Sequence, residues 1–239
     1  MRLNAFLAEC GVAARRKSVD YILEGRVRVN GKIVLAPYFQ VNPEDDAVDC
    51  DGVRLSILSK KYFAMNKPMG VVCAVTDKYD PVVVDLLPVS ARDVRVFPVG
   101  RLDRESEGLL ILTNDGEFAQ NLQHPSKGVT KEYEVLLNLK INDKQLRRWR
   151  EGFEMKGRRV KPVSIEVMQK EPRFRWVRVT IGEGVKREVR TMANLAGFGV
   201  EALIRRKIGG LILRQLKIGD FVELSFLDLC TRIFKGGSV

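Results

Sequence analysis

The sequence has few of the residues that build metal and redox sites. Among its 239 residues are one histidine and four cysteines. The cysteines form no C-x-x-C pair, whereas zinc sites need clustered Cys and His ligands. Isolated cysteines of this kind are typical of buried thiols in a reducing compartment. A P-loop and a G-x-G-x-x-G fingerprint are also absent. We therefore expect no metal site and no small-molecule cofactor.

Long apolar runs are absent as well. No uninterrupted apolar stretch approaches the roughly 18 residues that a membrane span requires. The first dozen residues superficially resemble a signal peptide, but Asn4 and Glu9 interrupt the apolar run and three basic residues follow it at positions 15–17. The sequence therefore predicts a cytoplasmic protein that does not associate with membranes.

Positive charge is abundant. The chain has 41 basic and 30 acidic side chains, a net charge of +11. Residues 1–32 contain seven basic and three acidic residues, and residues 144–190 contain fifteen and six. Clustered Lys and Arg bind polyanions by releasing their counterions, although charge alone does not distinguish nucleic acid from a membrane surface. Two separate basic regions are consistent with two footprints on one long polyanion.

Apolar spacing and turn residues divide the chain. Two short helices are predicted at residues 3–9 and 18–24, followed by a hairpin whose turn is Asn30-Gly31. A series of β-prone segments begins at Tyr62, and Asn142 begins a capped helix. The fold class is α+β. We predict a small N-terminal domain at residues 1–57, a linker at 58–61, a larger domain at 62–230 and a flexible tail at 231–239.

Residues 99–114, V-G-R-L-D-R-E-S-E-G-L-L-I-L-T-N, place a charged turn directly before a buried strand. Asp103 lies in that turn between Arg101 and Arg104. A lone loop aspartate most often caps its own turn, and the residues alone favour that interpretation. For the two arginines, substrate phosphate, loop support and solvent all remain open.

The pattern G-R-L-D-x-x-S-x-G, followed by four aliphatic residues and Thr-Asn, resembles the catalytic signature of the pseudouridine synthases, specifically the ribosomal small-subunit type. In that family the aspartate is the essential residue, which corresponds here to Asp103. The resemblance also implies that Tyr133, in a K-x-Y motif, stacks on the target base, whereas strand alternation alone predicts a core tyrosine. The family's invariant arginine corresponds to Arg190, and the basic turn before it implies RNA contacts by Lys186 and Arg187.

Residues 1–57 resemble the S4 RNA-binding domain through R-L-x-x-F-L-A-x-x-G-x-A-x-R-R and the later G-x-V-x-V-N-G. This resemblance implies that Arg15, Arg16, Lys17 and Arg28 face RNA phosphates. The alternative is a solvated basic helix end. Ala14 stands where the family commonly has a serine, so one hydroxyl contact is missing.

The segment N-K-P-M-G-V-V matches a synthase element that lies beside the catalytic cleft. For Lys67 in this segment, an RNA contact and an exposed surface position without a role are equally supported, and we predict an RNA contact. We also predict an RNA contact for Arg101, which lies within the signature.

The resemblance implies a larger domain with a mainly antiparallel sheet and an enzyme that isomerises uridine to pseudouridine in ribosomal RNA, 23S rather than 16S. The reaction breaks the C1′–N1 bond and rejoins the sugar to C5. A carboxylate near C1′ suits a step that builds positive charge on the sugar. We expect Asp103 to be the nucleophile or base, with Arg190 as its counter-ion, in a monomer. The alternative is a non-catalytic S4-containing RNA-binding or ribosome-assembly factor.

Overall fold

The computed structural model describes residues 1–92, 94–155, 157–182, 184–185, 187–235 and 237–238. The chain folds into two compact units. The first contains Met1–Lys60, and the second contains Lys61–Arg92 and the chain from residue 96 onward. No helix within the described residues is long and apolar enough to cross a membrane.

The first unit packs two helices on a small antiparallel sheet. Helices α1 (Leu3–Glu9) and α2 (Ser18–Leu23) precede the strands, which are β1 (Val27–Val29), β2 (Lys32–Ile33), β3 (Val48–Cys50) and β4 (Val53–Arg54), in the order β2-β1-β3-β4. Asn30 and Gly31 have φ values of 52° and 75°. Positive φ at both positions defines the type I′ turn that matches strand twist, so the predicted hairpin is confirmed.

The second unit is built on one large sheet and one separate hairpin. The strands of this unit are β5 (Tyr62–Lys67), β6 (Phe97–Val99), β7 (Glu107–Thr113), β8 (Lys131–Leu137), β9 (Phe153–Met155), β10 (Arg158–Val160), β11 (Ser164–Val167), β12 (Trp176–Ile181), β13 (Val200–Ile208), β14 (Leu211–Ile212), β15 (Phe221–Leu224) and β16 (Gly237–Ser238). Its helices are α3 (Gly116–Gln123), α4 (Asp143–Glu151), α5 (Glu188–Leu195) and α6 (Phe226–Lys235). Short 3-10 turns lie at Val83–Leu86, Val89–Ala91 and Pro125–Lys127.

The strand order is β11-β12-β8-β13-β7-β5-β15, with β6 on β7, β14 on β13 and β16 on β14. Within the described residues, the β13–β7 and β14–β16 pairs are parallel and the other strand pairs of this sheet are antiparallel. The separate β9–β10 hairpin is antiparallel too. The predicted α+β class and the mainly antiparallel sheet are thus confirmed.

The predicted flexible tail from residue 231 is wrong for the part that the structure describes. Helix α6 continues to Lys235, and Ile233 is 3% exposed in the same core cluster as the fully buried Leu229. These residues are four positions apart and therefore lie on one helix face. That apolar face anchors the C-terminal segment to the sheet.

Strand β7 occupies the middle of the sheet. Its four aliphatic residues, 109–112, are fully buried. At its start, Gly108 lies so close to β13 that a Cβ atom would be 2.3 Å from the carbonyl oxygen of Arg205. Because real Cβ atoms do not approach backbone this closely, only glycine fits here. This close approach brings the end of the Asp103 loop against the Arg205 backbone.

Candidate active site

Asp103 lies in the loop that connects β6 to β7. Its backbone carbonyl accepts a hydrogen bond from the Ser106 N–H at 3.0 Å, which closes the turn. Its carboxylate, on a side chain that is 26% exposed, instead faces two arginines. The expectation that the Asp103 side chain caps its own turn is therefore not what the structure shows.

Both arginines approach the same carboxylate oxygen. Nη1 of Arg187 is 3.4 Å and Nε of Arg190 is 3.7 Å from Oδ2 of Asp103. Within the described residues, Oδ1 has no ion pair or hydrogen bond. The two cations thus hold the carboxylate through one oxygen, and its second oxygen is left available to an incoming group.

Arg190 links the Asp103 loop to the rest of the unit. It is 9% exposed, and its Nη2 donates to the carbonyl of Glu105 at 3.0 Å and to Oγ of Ser106 at 3.1 Å, while Nη1 donates to the carbonyl of Val200 at 3.3 Å. Burial lowers the pKa of this guanidinium, but arginine remains charged in proteins. The predicted pairing of Arg190 with Asp103 is therefore present, and the same side chain also holds the loop backbone.

Arg187 directly precedes α5 in a left-handed conformation with a φ of 56°. Its Nη1 also donates to Oε1 of Glu105 at 2.9 Å, and this hydrogen bond raises the pKa of Arg187 and lowers that of Glu105. The guanidinium thus lies between two carboxylates. Its predicted RNA contact stays a prediction, and Lys186 lies outside the described residues.

The predicted surface position of Lys67 is wrong. Its side chain is 0% exposed, and Nζ donates to the carbonyls of Pro68 at 2.8 Å, Ser106 at 2.8 Å and Asp103 at 3.3 Å. Every residue of β5 is buried, so a lysine at its end has no route to solvent. Burial lowers the pKa of this ammonium group. This burial excludes an RNA contact by Lys67. Its ammonium group instead anchors the Asp103 loop through the loop's backbone carbonyls.

Arg205 is a second buried cation under the loop, which the sequence analysis missed. It is 4% exposed, and its Nε donates to the carbonyl of Leu109 at 2.7 Å and its Nη1 to that of Arg101 at 3.4 Å. The two carbonyls flank the Asp103 turn. Alternation along β13 was the available signal, because Leu203 and Arg205 both lie on its buried face.

Tyr133 lies on β8 directly opposite Arg205 in the strand pairing. Residues opposite each other on neighbouring strands project to the same face, so the ring lies on the face from which Arg205 reaches the loop. Tyr133 is 7% exposed. Its burial is typical of a core tyrosine, whereas its position on the same sheet face as Arg205 is consistent with a role at the site. Stacking of Tyr133 on the target base therefore stays a prediction.

The two arginines beside Asp103 behave differently. The side chain of Arg101 is exposed and forms no ion pair within the described residues. Arg104 donates from Nε to the carbonyl of Gly70 at 3.2 Å and pairs through Nη2 with Oδ1 of Asp80 at 3.0 Å. Arg104 therefore supports the loop, whereas Arg101 is placed where an RNA contact is feasible.

In the first unit, the predicted RNA-facing residues share one property. Each is exposed and none forms an ion pair within the described part of the chain: Arg15, Arg16, Lys17 and Arg28. Arg26, by contrast, pairs with Glu24 at 3.2 Å and with Asp51 at 2.6 Å. The four cations that match the S4 pattern are thus available for phosphates.

The described residues include no group of three His, Cys, Asp or Glu side chains that could hold a metal ion. The four cysteines are free thiols. Sγ of Cys73, buried beside the site, accepts a hydrogen bond from the N–H of Leu102 at 3.3 Å, and burial raises the pKa of this thiol. The charged side chains described around the Asp103 loop are one carboxylate, three arginines and one lysine: Glu105, Arg187, Arg190, Arg205 and Lys67.

Comparison with known proteins places this arrangement in a family. A family model described as RNA pseudouridylate synthase matches residues 61–195, and one described as S4 domain matches residues 1–46. An uncharacterized RNA pseudouridine synthase of Aquifex aeolicus (strain VF5) is 38% identical over 239 residues, covering 98% of this chain and 94% of that protein.

Ribosomal large subunit pseudouridine synthase B of Bacillus subtilis (strain 168) is 35% identical, over 94% of this chain and 92% of its own length. A crystal structure of a pseudouridylate synthase, 29% identical, superposes with a TM-score of 0.68 over 96% of this chain and 98% of its own. Because the synthase model covers more than half of the sequence and these relatives align over nearly all of it, the chain belongs to the RNA pseudouridine synthase family and has an S4 domain at its N-terminus.

Proposed function

We propose that this protein converts uridine to pseudouridine in ribosomal RNA, in 23S rather than 16S rRNA, with Asp103 as the catalytic residue. The observation that carries the proposal is the geometry of the carboxylate, whose Oδ2 is flanked by Arg187 and Arg190 while Oδ1 has no hydrogen bond or ion pair to any residue that the structure describes. The Bacillus relative named for the large ribosomal subunit supports the choice of rRNA.

The reaction is an isomerisation, so no atom is gained or lost. The C1′–N1 bond breaks and its electron pair leaves with the uracil. The base then rotates, C1′ bonds to C5, the C5 proton is lost and N1 gains a proton. Since cleavage builds positive charge on the sugar, an ionised carboxylate next to C1′ stabilises the transition state.

Asp103 has two routes to this chemistry. As a nucleophile, Oδ1 bonds to C1′ while uracil leaves, and C5 later displaces the carboxylate. As a base, Oδ1 removes the C2′ proton while uracil leaves, and the proton returns to C2′ when C5 bonds to C1′. Deuterium at C2′ of the target nucleotide distinguishes them: a primary isotope effect on the cleavage step indicates the base, and its absence indicates the nucleophile.

The neighbouring residues have supporting roles in this proposal. Arg190 and Arg187 orient the carboxylate through Oδ2, and Tyr133 stacks on the uracil so that the detached base stays in place while it rotates. Extracting the uridine from its stack costs a few kcal/mol. RNA contacts by Arg101 and the basic residues of the first unit offset that cost. We propose that the enzyme acts as a cytoplasmic monomer.

The test is to map pseudouridines in rRNA from cells with and without this gene, and then to complement with variants. Wild type is expected to restore one or very few sites in 23S rRNA, and Asp103→Asn to restore none. Asp143→Asn, an exposed carboxylate on α4 that forms no ion pair within the described residues, is the matched control and should behave as wild type.

Two results would count against the proposal. Full activity of Asp103→Asn would remove the catalytic assignment. Unchanged rRNA modification in cells lacking the gene, together with inactivity of the purified protein on both rRNAs, would favour the non-catalytic RNA-binding or assembly factor.

A further inference from the structure

Several cations of the large sheet are paired with the carboxylates of Glu132 and Glu134 on β8. Arg178 pairs with Glu132, Arg206 with Glu134 and Lys207 with Glu132, at 3.5, 3.2 and 3.0 Å. Lys170 reaches Glu134 as well, at 3.5 Å. Each of these four cations therefore has a carboxylate partner within the protein and is less available to a polyanion.

Helix α4 is different. Lys144, Arg147 and Arg148 are exposed and form no ion pair within the described part of the chain. They lie on the side of the helix opposite the buried Leu146 and Trp149. Side chains three and four positions apart on a helix are about 5–6 Å apart, so the three form one compact cationic patch. We call Lys144, Arg147 and Arg148 the α4 cation surface.

Helix stability alone does not explain these cations. Basic residues near a helix C-terminus are favourable because they complement the helix dipole, and Arg148 lies in the last turn. Lys144 lies in the first turn, where positive charge is unfavourable. The first turn also contains Asp143, and Asn142 and Gln145 form a capping box there, so the helix accommodates that charge.

The α4 cation surface is fixed to the catalytic unit. Trp149, fully buried, stacks on Phe198 with 6.3 Å between ring centroids. Phe198 follows α5, the helix that carries Arg190. On the other side, the guanidinium of Arg159 in the β9–β10 hairpin donates to the carbonyl of Glu151 at 3.1 Å. An RNA held by this helix is thus held at a set position with respect to the Asp103 loop.

We propose that the α4 cation surface binds the phosphate backbone of the rRNA segment next to the target uridine, as an RNA contact separate from that of the S4 domain. The inference rests on the proposed function for the identity of the RNA. A protein partner is disfavoured because this face offers cations without the exposed aromatic anchors that protein interfaces use. Phosphates, by contrast, need only the charge and its spacing.

The test neutralises the patch while preserving the helix. The variant Lys144→Gln, Arg147→Gln, Arg148→Gln keeps good helix formers at all three positions. Each phosphate contact contributes a salt slope of about 0.7–0.9. For binding to a 23S rRNA transcript, we expect the slope of log K against log salt to fall by about 2, and KM to rise about tenfold or more, with kcat within about twofold of wild type.

The matched control removes the same charge from neutralised positions. Lys170→Gln, Arg173→Gln, Arg178→Gln leaves Glu134 paired with Arg206 and Glu132 paired with Lys207. This control should keep most of the affinity and of the salt slope. Circular dichroism and melting temperature for both triple variants verify that each is folded.

Three results would overturn the inference: an unchanged slope and KM in the α4 variant, an equal loss in the control, or a fall in kcat with KM unchanged. A defect seen only on ribosomal particles, with naked rRNA binding intact, would assign the surface to a ribosomal protein and overturn it too. Because the binding measurement does not depend on turnover, it still tests the surface if the protein proves inactive on rRNA.

Discussion

Replacing Arg190 tests whether the cation next to Asp103 serves the chemistry or the RNA. At the observed 3.7 Å, two unit charges interact by about 4.5 kcal/mol at an effective dielectric constant of 20. Asp103 is a quarter exposed and keeps Arg187 at 3.4 Å, so the loss should be a fraction of this, about 1.5–3 kcal/mol. If that loss appears in the transition state, kcat falls about 10- to 150-fold.

The assay follows the C5 hydrogen, which leaves the base when C1′ bonds to C5. Tritium release from RNA labelled at C5 of uridine therefore reports kcat and KM for Arg190→Leu and Arg190→Lys. The lysine variant keeps the charge but loses the forked hydrogen bonds to Glu105 and Ser106, so it should recover only part of the rate. Arg214→Leu, an exposed arginine that forms no ion pair within the described residues, is the control.

Stability must be measured on the same variants. Arg190→Leu leaves the carbonyl of Val200 and the loop acceptors without their donor, which should lower the free energy of unfolding by about 2–4 kcal/mol. Urea melts identify the fraction folded at the assay temperature. A rise in KM with kcat unchanged, accompanied by a salt slope that falls by about 1, would refute the reasoning, because it would show that Arg190 binds a phosphate.

Three further outcomes follow from the packing. Lys67→Met should lower the unfolding free energy by about 2–4 kcal/mol and reduce kcat more than affinity, because two loop carbonyls and that of Pro68 lose one charged donor; urea melts and tritium release measure both, and near-wild-type values would contradict it. Gly108→Ala should fail to give stable protein, since its Cβ would overlap the Arg205 backbone, whereas Gly184→Ala meets open space and should melt within about 0.5 kcal/mol of wild type. Burial raises the pKa of Cys10 to about 11, so iodoacetamide at pH 8 should label the native protein slowly and faster as pH rises; mass spectrometry showing rapid labelling at pH 8 would oppose this.

The elements predicted from the sequence are those fixed by neighbouring residues. Asn30-Gly31 forms its turn because both residues tolerate positive φ. Asn142 caps α4 with Gln145 three residues later, and both hydrogen bonds of that capping box are present. The position of Asp103 before a buried strand was equally local. Each signal lies within a few residues of the structure that it specifies.

The residues that were misplaced or missed depend on distant parts of the chain. Lys67 is buried because carbonyls 36 and 39 positions away converge on its ammonium group, and no pattern around residue 67 encodes those partners. Arg205 finds its acceptors 96 and 104 positions earlier. A charged residue inside a strand pattern is ordinarily read as exposed, because burial of a charge is unfavourable unless partners compensate it.

The cations around the loop hold different groups. Lys67 and Arg205 bind backbone carbonyls, and Arg187 faces the carboxylate of Asp103. Arg190 does both, because it faces that carboxylate and donates to the carbonyl of Glu105. Hydrogen bonds from buried charged donors are strong, so they fix the loop backbone without using the carboxylate of Asp103. The carboxylate then needs no contact through Oδ1 to stay in place. Preorganised charge of this kind requires little rearrangement at the moment of reaction. In the proposed mechanism the loop anchors Lys67 and Arg205 therefore affect the rate through the position of Oδ1, without touching the substrate.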